Sequence, residues 1–348
     1  MTNYNYNGMN AQDIASKVIA KEEAYNNADP TLMPFEDKCY YALALTPIIH
    51  PAVSPDRNRR RALLEELRPE LLRRAEGEDP FALYVLGNTY SDLSARPTDT
   101  QRNFLERSMN AGYIPAALSL FNLFYYFGKK RTSPEAEAII SWLSERIDEN
   151  TYAGERYSYY SLINDKEKEK ELALHFALNG DYGSVVRLAN FLGNILDSNS
   201  DERVFWQTVD FLVIQHFYNQ GAKHLGDSLG MKLINKRGCE RDLERVKTIY
   251  VDLMMDYSYD RHQLLTILGV PHDDTSEDIC EAERVCRLHI KNGKKANYWR
   301  LILIALLSGD RKKVEEACDE ACGHHDGLLS GNIPKAYHML RHAAHAKQ

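Results

Sequence analysis

The chain lacks the marks of an enzyme, a membrane protein or a disulfide scaffold. It has no P-loop, no dinucleotide-binding glycine motif, no His-Glu-x-x-His and no Gly-x-Ser-x-Gly. The usual signatures of phosphate cradling, zinc hydrolysis and acyl transfer are therefore missing. His175, His216, His224 and His262 are scattered over separate segments, and a lone helical histidine is more often structural than catalytic. The longest apolar run, Trp299–Leu307, is interrupted by Arg300 and falls well short of the ~20 residues that span a bilayer. The N-terminal stretch from Met1 to Gly8 is polar, without a basic start or an apolar core, and reads as no secretion signal. Six cysteines (Cys39, Cys239, Cys280, Cys286, Cys318 and Cys322) in 348 residues are too few for a disulfide framework. They point to reduced thiols and a cytoplasmic location. A net charge of −7 argues against a dedicated nucleic-acid binder, which is more often basic overall.

What is present is helix-forming material with a period. Hydrophobic residues make up 44% of the chain and charged residues 27%, a balance that can bury a core. Gly77-Glu78-Asp79-Pro80-Phe81-Ala82 is followed 35 residues later by Gly112-Tyr113-Ile114-Pro115-Ala116-Ala117, and the match continues through Leu83 with Leu118, Leu86 with Phe121 and Tyr90 with Tyr125. A period in the mid-thirties marks stacked helical hairpins. Residues 1–10 read as a disordered lead and residues 11–76 as an N-terminal helical module capping the array, with helices over Ala11–Asn27, Phe35–Thr46 and Asp56–Ala75. Pro69 predicts a break or kink near Leu67 and Arg68.

From residue 77 to 348 the pattern predicts about seven hairpins and a C-terminal capping helix. The pairs fall at Pro80–Leu93 with Pro97–Asn110, Ile114–Phe127 with Ser133–Ile147, and Thr151–Ile163 with Lys166–Leu178. They continue at Ser184–Leu196 with Asp201–Tyr218, Ala222–Ile234 with Arg241–Asp256, Asp260–Leu268 with Thr275–Lys291, and Lys295–Leu307 with Arg311–Ala321; Ile333–Ala346 closes the series. Second helices end in Ala111-Gly112, Asn179-Gly180, Gln220-Gly221 and Asn292-Gly293, where glycine can take the left-handed conformation that stops a helix. Pro97 and Pro134 stand where a missing N–H costs nothing.

The segment Ala82-Leu83-Tyr84-Val85-Leu86-Gly87-Asn88-Thr89-Tyr90 resembles the first helix of Sel-one-like repeats, the short-hairpin branch of the tetratricopeptide superfamily. Ala222-Lys223-His224-Leu225-Gly226 repeats its alanine to leucine-glycine step, and Leu192-Gly193 falls where another would be. Leu268-Gly269-Val270-Pro271-His272-Asp273-Asp274 resembles its Gly-Val turn and aspartate, and Ala138-Ile139-Ile140-Ser141-Trp142 its second helix. The resemblance covers about residues 79–325. The third unit departs most, with Ala153-Gly154-Glu155-Arg156-Tyr157 replacing the leucine-glycine step. The resemblance implies a right-handed superhelical solenoid of antiparallel hairpins, often bacterial, serving as an adaptor or scaffold with its ligand on the concave face.

Three residue groups carry chemistry. Twenty-one tyrosines offer broad contact area with polar tips. Tyr84, Tyr90, Tyr125, Tyr126, Tyr157, Tyr159 and Tyr160 are the candidate partner-binding set, with inter-repeat packing the alternative for each. Cys318, Cys322, His324 and His325 are weak candidates for a metal site, because no distant second ligand pair accompanies them and a buried apolar face accounts more simply for the cysteines. Arg57, Arg59, Arg60, Arg61, Arg68, Arg73 and Arg74 could steer a phosphate backbone, but interleaved Glu65, Glu66, Glu70 and Glu76 suit a helix laced with ion pairs. Lys166-Glu167-Lys168-Glu169-Lys170-Glu171 reads as an exposed helix start.

The expectation is an all-α solenoid that is not an enzyme, needs no cofactor and holds a protein or peptide in its groove, with no membrane or nucleic-acid partner. Rival readings are an immunity or regulatory protein that occludes a toxin or effector, a metal-dependent protein using the Cys318–His325 cluster, and a nucleic-acid binder acting through the arginine-rich helix.

Overall fold

The computed structural model describes residues 5, 6, 8–44, 51, 57–89, 99–126, 133–190, 196, 197, 200–235, 237–256, 261–268, 276–292, 298–322 and 329–345. Among these residues the protein is all-helical; the only β feature is an isolated bridge between Tyr6 and Met9. None of these helices is long and apolar enough to cross a membrane. The chain divides into two compact units, Thr2–Val213 and Ile214–Gln348.

The first unit runs through α1 (Ala11–Asn26), α2 (Phe35–Ala44), α3 (Arg57–Glu76), α4 (Pro80–Thr89), α5 (Asp99–Asn110), α6 (Ile114–Tyr126), α7 (Pro134–Ser144), α8 (Ala153–Ile163), α9 (Lys166–Leu178), α10 (Tyr182–Ala189) and into α11 (Asp201–Asn219). Local chemistry sets these limits. Asn10 opens α1 with a capping box, its side chain accepting from the N–H groups of Gln12 and Asp13 while Asp13 accepts from Asn10 N–H, which satisfies donors the helix cannot. Ser133 caps α7 with Pro134 at the first helical position. Asp181 accepts from Ser184 N–H at 2.8 Å, so α10 begins two residues earlier than the pattern predicts. Gly112, Gly180 and Gly221 all have positive φ, at 91°, 84° and 99°, as the helix-stop reading requires. Pro97 and Gly293 lie outside the described residues.

The break expected at Pro69 does not occur; α3 is one helix through it. Proline removes one donor, and here its ring is on the exposed side while Leu63, Leu67, Leu71 and Ala75 form the buried stripe opposite. Four buried apolar side chains on one face offset the lost bond.

Packing in this unit follows chain order. Ala82, Leu83 and Leu86 at one end of the 35-residue offset and Ala117, Leu118 and Phe121 at the other are all buried. One apolar cluster joins α2, α3 and α4; the next joins α5, α6, α7 and Tyr159 of α8; Tyr84 touches both. Helices two apart also meet, α4 with α6 and α6 with α8. The leucine-glycine step has a packing cause, because bare Gly87 lets α5 approach so closely that Leu105 lies against its backbone. The N-terminal segment departs from chain order. Helix α1 packs on α9, and Tyr6 lies against Phe205 and Trp206 of α11, with ring centroids 5.6 and 5.3 Å away. The Tyr6 hydroxyl donates to Glu202.

The second unit contains the end of α11, then α12 (Gly226–Ile234), α13 (Leu243–Asp256), α14 (Arg261–Leu268), α15 (Ser276–Lys291), α16 (Tyr298–Leu307), α17 (Arg311–Cys322) and α18 (Leu329–His345). The predicted helix at Ala222 starts as a single 3₁₀ turn, Lys223–Leu225. Gly226 and Gly230 let α12 lie against Leu253 and Tyr250 of α13. Helix α18 does more than close the last hairpin. It packs on α13, α14, α16 and α17, with Tyr337 5.7 Å from Tyr250.

Candidate binding site

A cavity of about 810 Å³ opens among α2, α4, α6, α8 and α10. The last four are the first helices of successive predicted hairpins; none of its described lining residues comes from a second helix. Its floor is apolar, from Leu118 and Phe121 of α6 and Leu162 of α8. Tyr40, Tyr84 and Tyr152 give it an aromatic wall. Behind the first two, Tyr40 stands 5.3 Å from Phe81 between ring centroids, Tyr113 stands 6.4 Å from Phe81 and 5.3 Å from Tyr84, and the Tyr40 and Tyr113 hydroxyls share a hydrogen bond of 2.7 Å. Tyr84 is hydrogen-bonded to Ser119, and burial pushes its phenol up to about 12. At the mouth, the ring of Tyr152 lies across Gly154, where a Cβ would stand 2.9 Å from Tyr152 Cε1.

Among the described residues two charged ones line the cavity, Glu155 and Arg187. Arg187 is already committed. Its guanidinium donates to Ser161 Oγ at 2.8 Å and to Glu169 Oε1 at 2.9 Å and lies 4.8 Å from the centre of the Tyr157 ring. Glu169 is 2% exposed and also receives Lys166 Nζ at 3.1 Å. Glu155, in the first turn of α8, has no cation within ion-pair distance among the described residues. Burial raises its carboxyl above the ordinary carboxylate range, since desolvation disfavours the charged form.

The predicted tyrosines fall into distinct settings. Tyr84 lines the cavity. Tyr157 lies beneath Arg187. Tyr159 is 9% exposed in the α5–α8 cluster. Tyr160 is half-buried beside it, with Lys168 Nζ 4.9 Å from its ring centre. Tyr90 and the side chains of Tyr125 and Tyr126 lie outside the described residues. Residue-by-residue reading missed Tyr40, Tyr152 and Glu155; the signal for Glu155 was the departure of its unit from the repeat pattern.

The alternating Lys166–Glu171 run is not wholly exposed, as Glu169 shows. An alternation of period two cannot stay on one side of a helix with 3.6 residues per turn, so one carboxylate faces α10 and takes Arg187 and Lys166 as partners. Cys318 is buried, whereas the Cys322 side chain, His324 and His325 lie outside the described residues; no metal-binding group of His, Cys, Asp or Glu occurs among those described. Much of the arginine-rich α3 is internally paired: Arg73 and Arg74 both donate to Glu70 and draw its carboxyl down to about 2. Arg74 also reaches Glu36, and Arg59 reaches the Tyr41 hydroxyl.

Among the described residues these features define an all-helical protein, with a cavity lined in part by tyrosines in its first unit. No family model matches the chain, and no curated protein matches it.

Proposed function

We propose that the chain is a non-enzymatic interaction protein, a degenerate right-handed array of Sel-one-like hairpins that holds a protein or peptide partner in the groove of its first helices. One observation carries the reading. The two most exposed side chains among the described tyrosines, tryptophans and phenylalanines are Tyr40, 46% exposed, and Tyr152, 73% exposed, and both stand at the cavity. Exposed aromatic surface beside an apolar floor is what a partner can desolvate, and tyrosine does so with few rotamers to freeze. The helical packing that fixes the floor lowers the ordering cost of association.

Affinity capture with the intact protein and with a Tyr40→Ala, Tyr152→Ala variant tests this, each captured protein being rebound in purified form. Loss of a direct partner by about tenfold or more in the variant supports the groove. Equal affinity for both proteins places the partner elsewhere.

A further inference from the structure

We propose that the cavity recognises a basic side chain, lysine or arginine, presented by a partner polypeptide, with Glu155 as its counter-ion and Tyr40, Tyr84 and Tyr152 as the surrounding wall. The inference rests on the groove reading above and adds the chemistry of its occupant. Charge complementarity selects it. Among the described residues the cavity is lined by one cation and one anion; the cation, Arg187, is already held by Glu169 and Ser161, while the anion has no counter-ion among those residues. A partly buried carboxylate lacking a cation costs free energy in the unbound protein, and a ligand ammonium or guanidinium would remove that cost. The wall suits the same group, because a cation over tyrosine rings gains from their quadrupoles, and the Ser158 hydroxyl oxygen and the Asn122 amide oxygen, both lining the cavity, can accept from its remaining N–H groups. An acidic side chain would meet Glu155 directly, and a purely apolar one would leave it desolvated without a partner. The volume lies within the ~300–1,000 Å³ of ligand cavities, enough for a side chain with part of its backbone. The mouth, flanked by exposed Tyr152, leaves room for that chain to continue.

The experiment is selection from a randomised hexapeptide display library against the full chain, Glu155→Gln and Tyr40→Ala/Tyr152→Ala, followed by titration of the best synthetic peptide. Circular dichroism and thermal melting confirm that each variant is folded. Enrichment of lysine or arginine at one position, with that preference lost and affinity lowered about tenfold or more in Glu155→Gln but partly kept in Glu155→Asp, supports the proposal. Peptides that bind through Tyr40 and Tyr152 without a basic position, or that keep it in Glu155→Gln, overturn the cation proposal and leave the groove reading standing. Selection no better than that of the double tyrosine variant overturns both. Free arginine binding as tightly as the peptide overturns the polypeptide occupant.

Discussion

Gly87 and Leu105 meet where no β-carbon could stand: one built on Gly87 would lie 2.6 Å from Leu105 Cγ. Leu105 is 1% exposed and has nowhere to retreat. This contact joins α4 to α5 and gives the leucine-glycine step its physical reason. Gly87→Ala is expected to destabilise the protein by about 1–3 kcal/mol through overpacking. In a Leu105→Ala background, which removes both contacting carbons, Gly87→Ala is expected to cost less than in wild type. Urea denaturation of the single and double variants checks both, and wild-type stability in Gly87→Ala would mean that the helices are not in close contact.

Gly112 offers a contrast. Nothing lies within 4 Å of its ideal Cβ, but its φ is 91°. Gly112→Ala should therefore cost roughly 1–2 kcal/mol from backbone conformation alone, and no enlarging of neighbouring space should rescue it. The same measurement on Gly112→Asn should show a smaller loss, since asparagine tolerates the left-handed region better.

Tyr182 donates to Asp210 Oδ1 at 2.9 Å with both residues buried. Tyr182→Phe keeps the ring and removes the donor, and is expected to cost about 1–3 kcal/mol. Burial, then Asp210, holds the phenol well above its ordinary pKa of 10.0. For a group raised in the folded state, the stability it contributes is full below the unfolded pKa and is lost as pH rises beyond it. The gap between wild type and Tyr182→Phe should therefore narrow above about pH 10. A gap that stays constant from pH 8 to 11 in chemical denaturation would exclude the linkage.

Glu169 and Arg187 are unequal partners. Glu169 is 2% exposed, whereas the Arg187 side chain is 46% exposed. Removing the arginine leaves a buried carboxylate with Lys166 alone; removing the carboxylate leaves two cations that can turn to water. Arg187→Ala is thus expected to destabilise more than Glu169→Gln, by about 1 kcal/mol or more. Thermal melts that place the two in the reverse order would mean that the carboxylate is solvated.

Much of this architecture was legible because helix limits are written in local chemistry. Gly112 and Gly180 act within one turn of themselves, so their roles as helix stops show without any knowledge of the fold. The 35-residue offset placed Ala82 and Ala117, which are both fully buried. What the sequence hid depends on contacts far apart in the chain. No local pattern places α1 on α9 or α18 on α13, and period-two alternation concealed that Glu169 faces Arg187. The cavity was hidden for the same reason, since Tyr40 and Tyr152 converge on it from places more than a hundred residues apart in the chain. Tyrosine composition pointed to the right residue type but could not separate Tyr84 in the wall from Tyr159 in the core.

Glu155 gives the last test, and its sign is opposite to that of an ion-paired carboxylate. Burial raises its folded pKa above the ordinary 4.5. In the unfolded chain it loses its proton near that ordinary value, so just above it the folded state holds more protons than the unfolded one. Stability therefore falls as pH rises from about 4.5 through the raised value, and is level beyond it. Its place in the first turn of α8 works the other way, because the helix dipole favours an anion there, but desolvation is the cause that prevails in the shift. Glu155→Gln removes the titration, so the variant should gain on wild type across that window and keep the gain at neutral pH. Urea melts at pH 4, 5.5 and 7 read the difference directly. A variant that instead loses ground with rising pH would show a carboxylate already satisfied within the fold, leaving a partner's cation no cost to relieve.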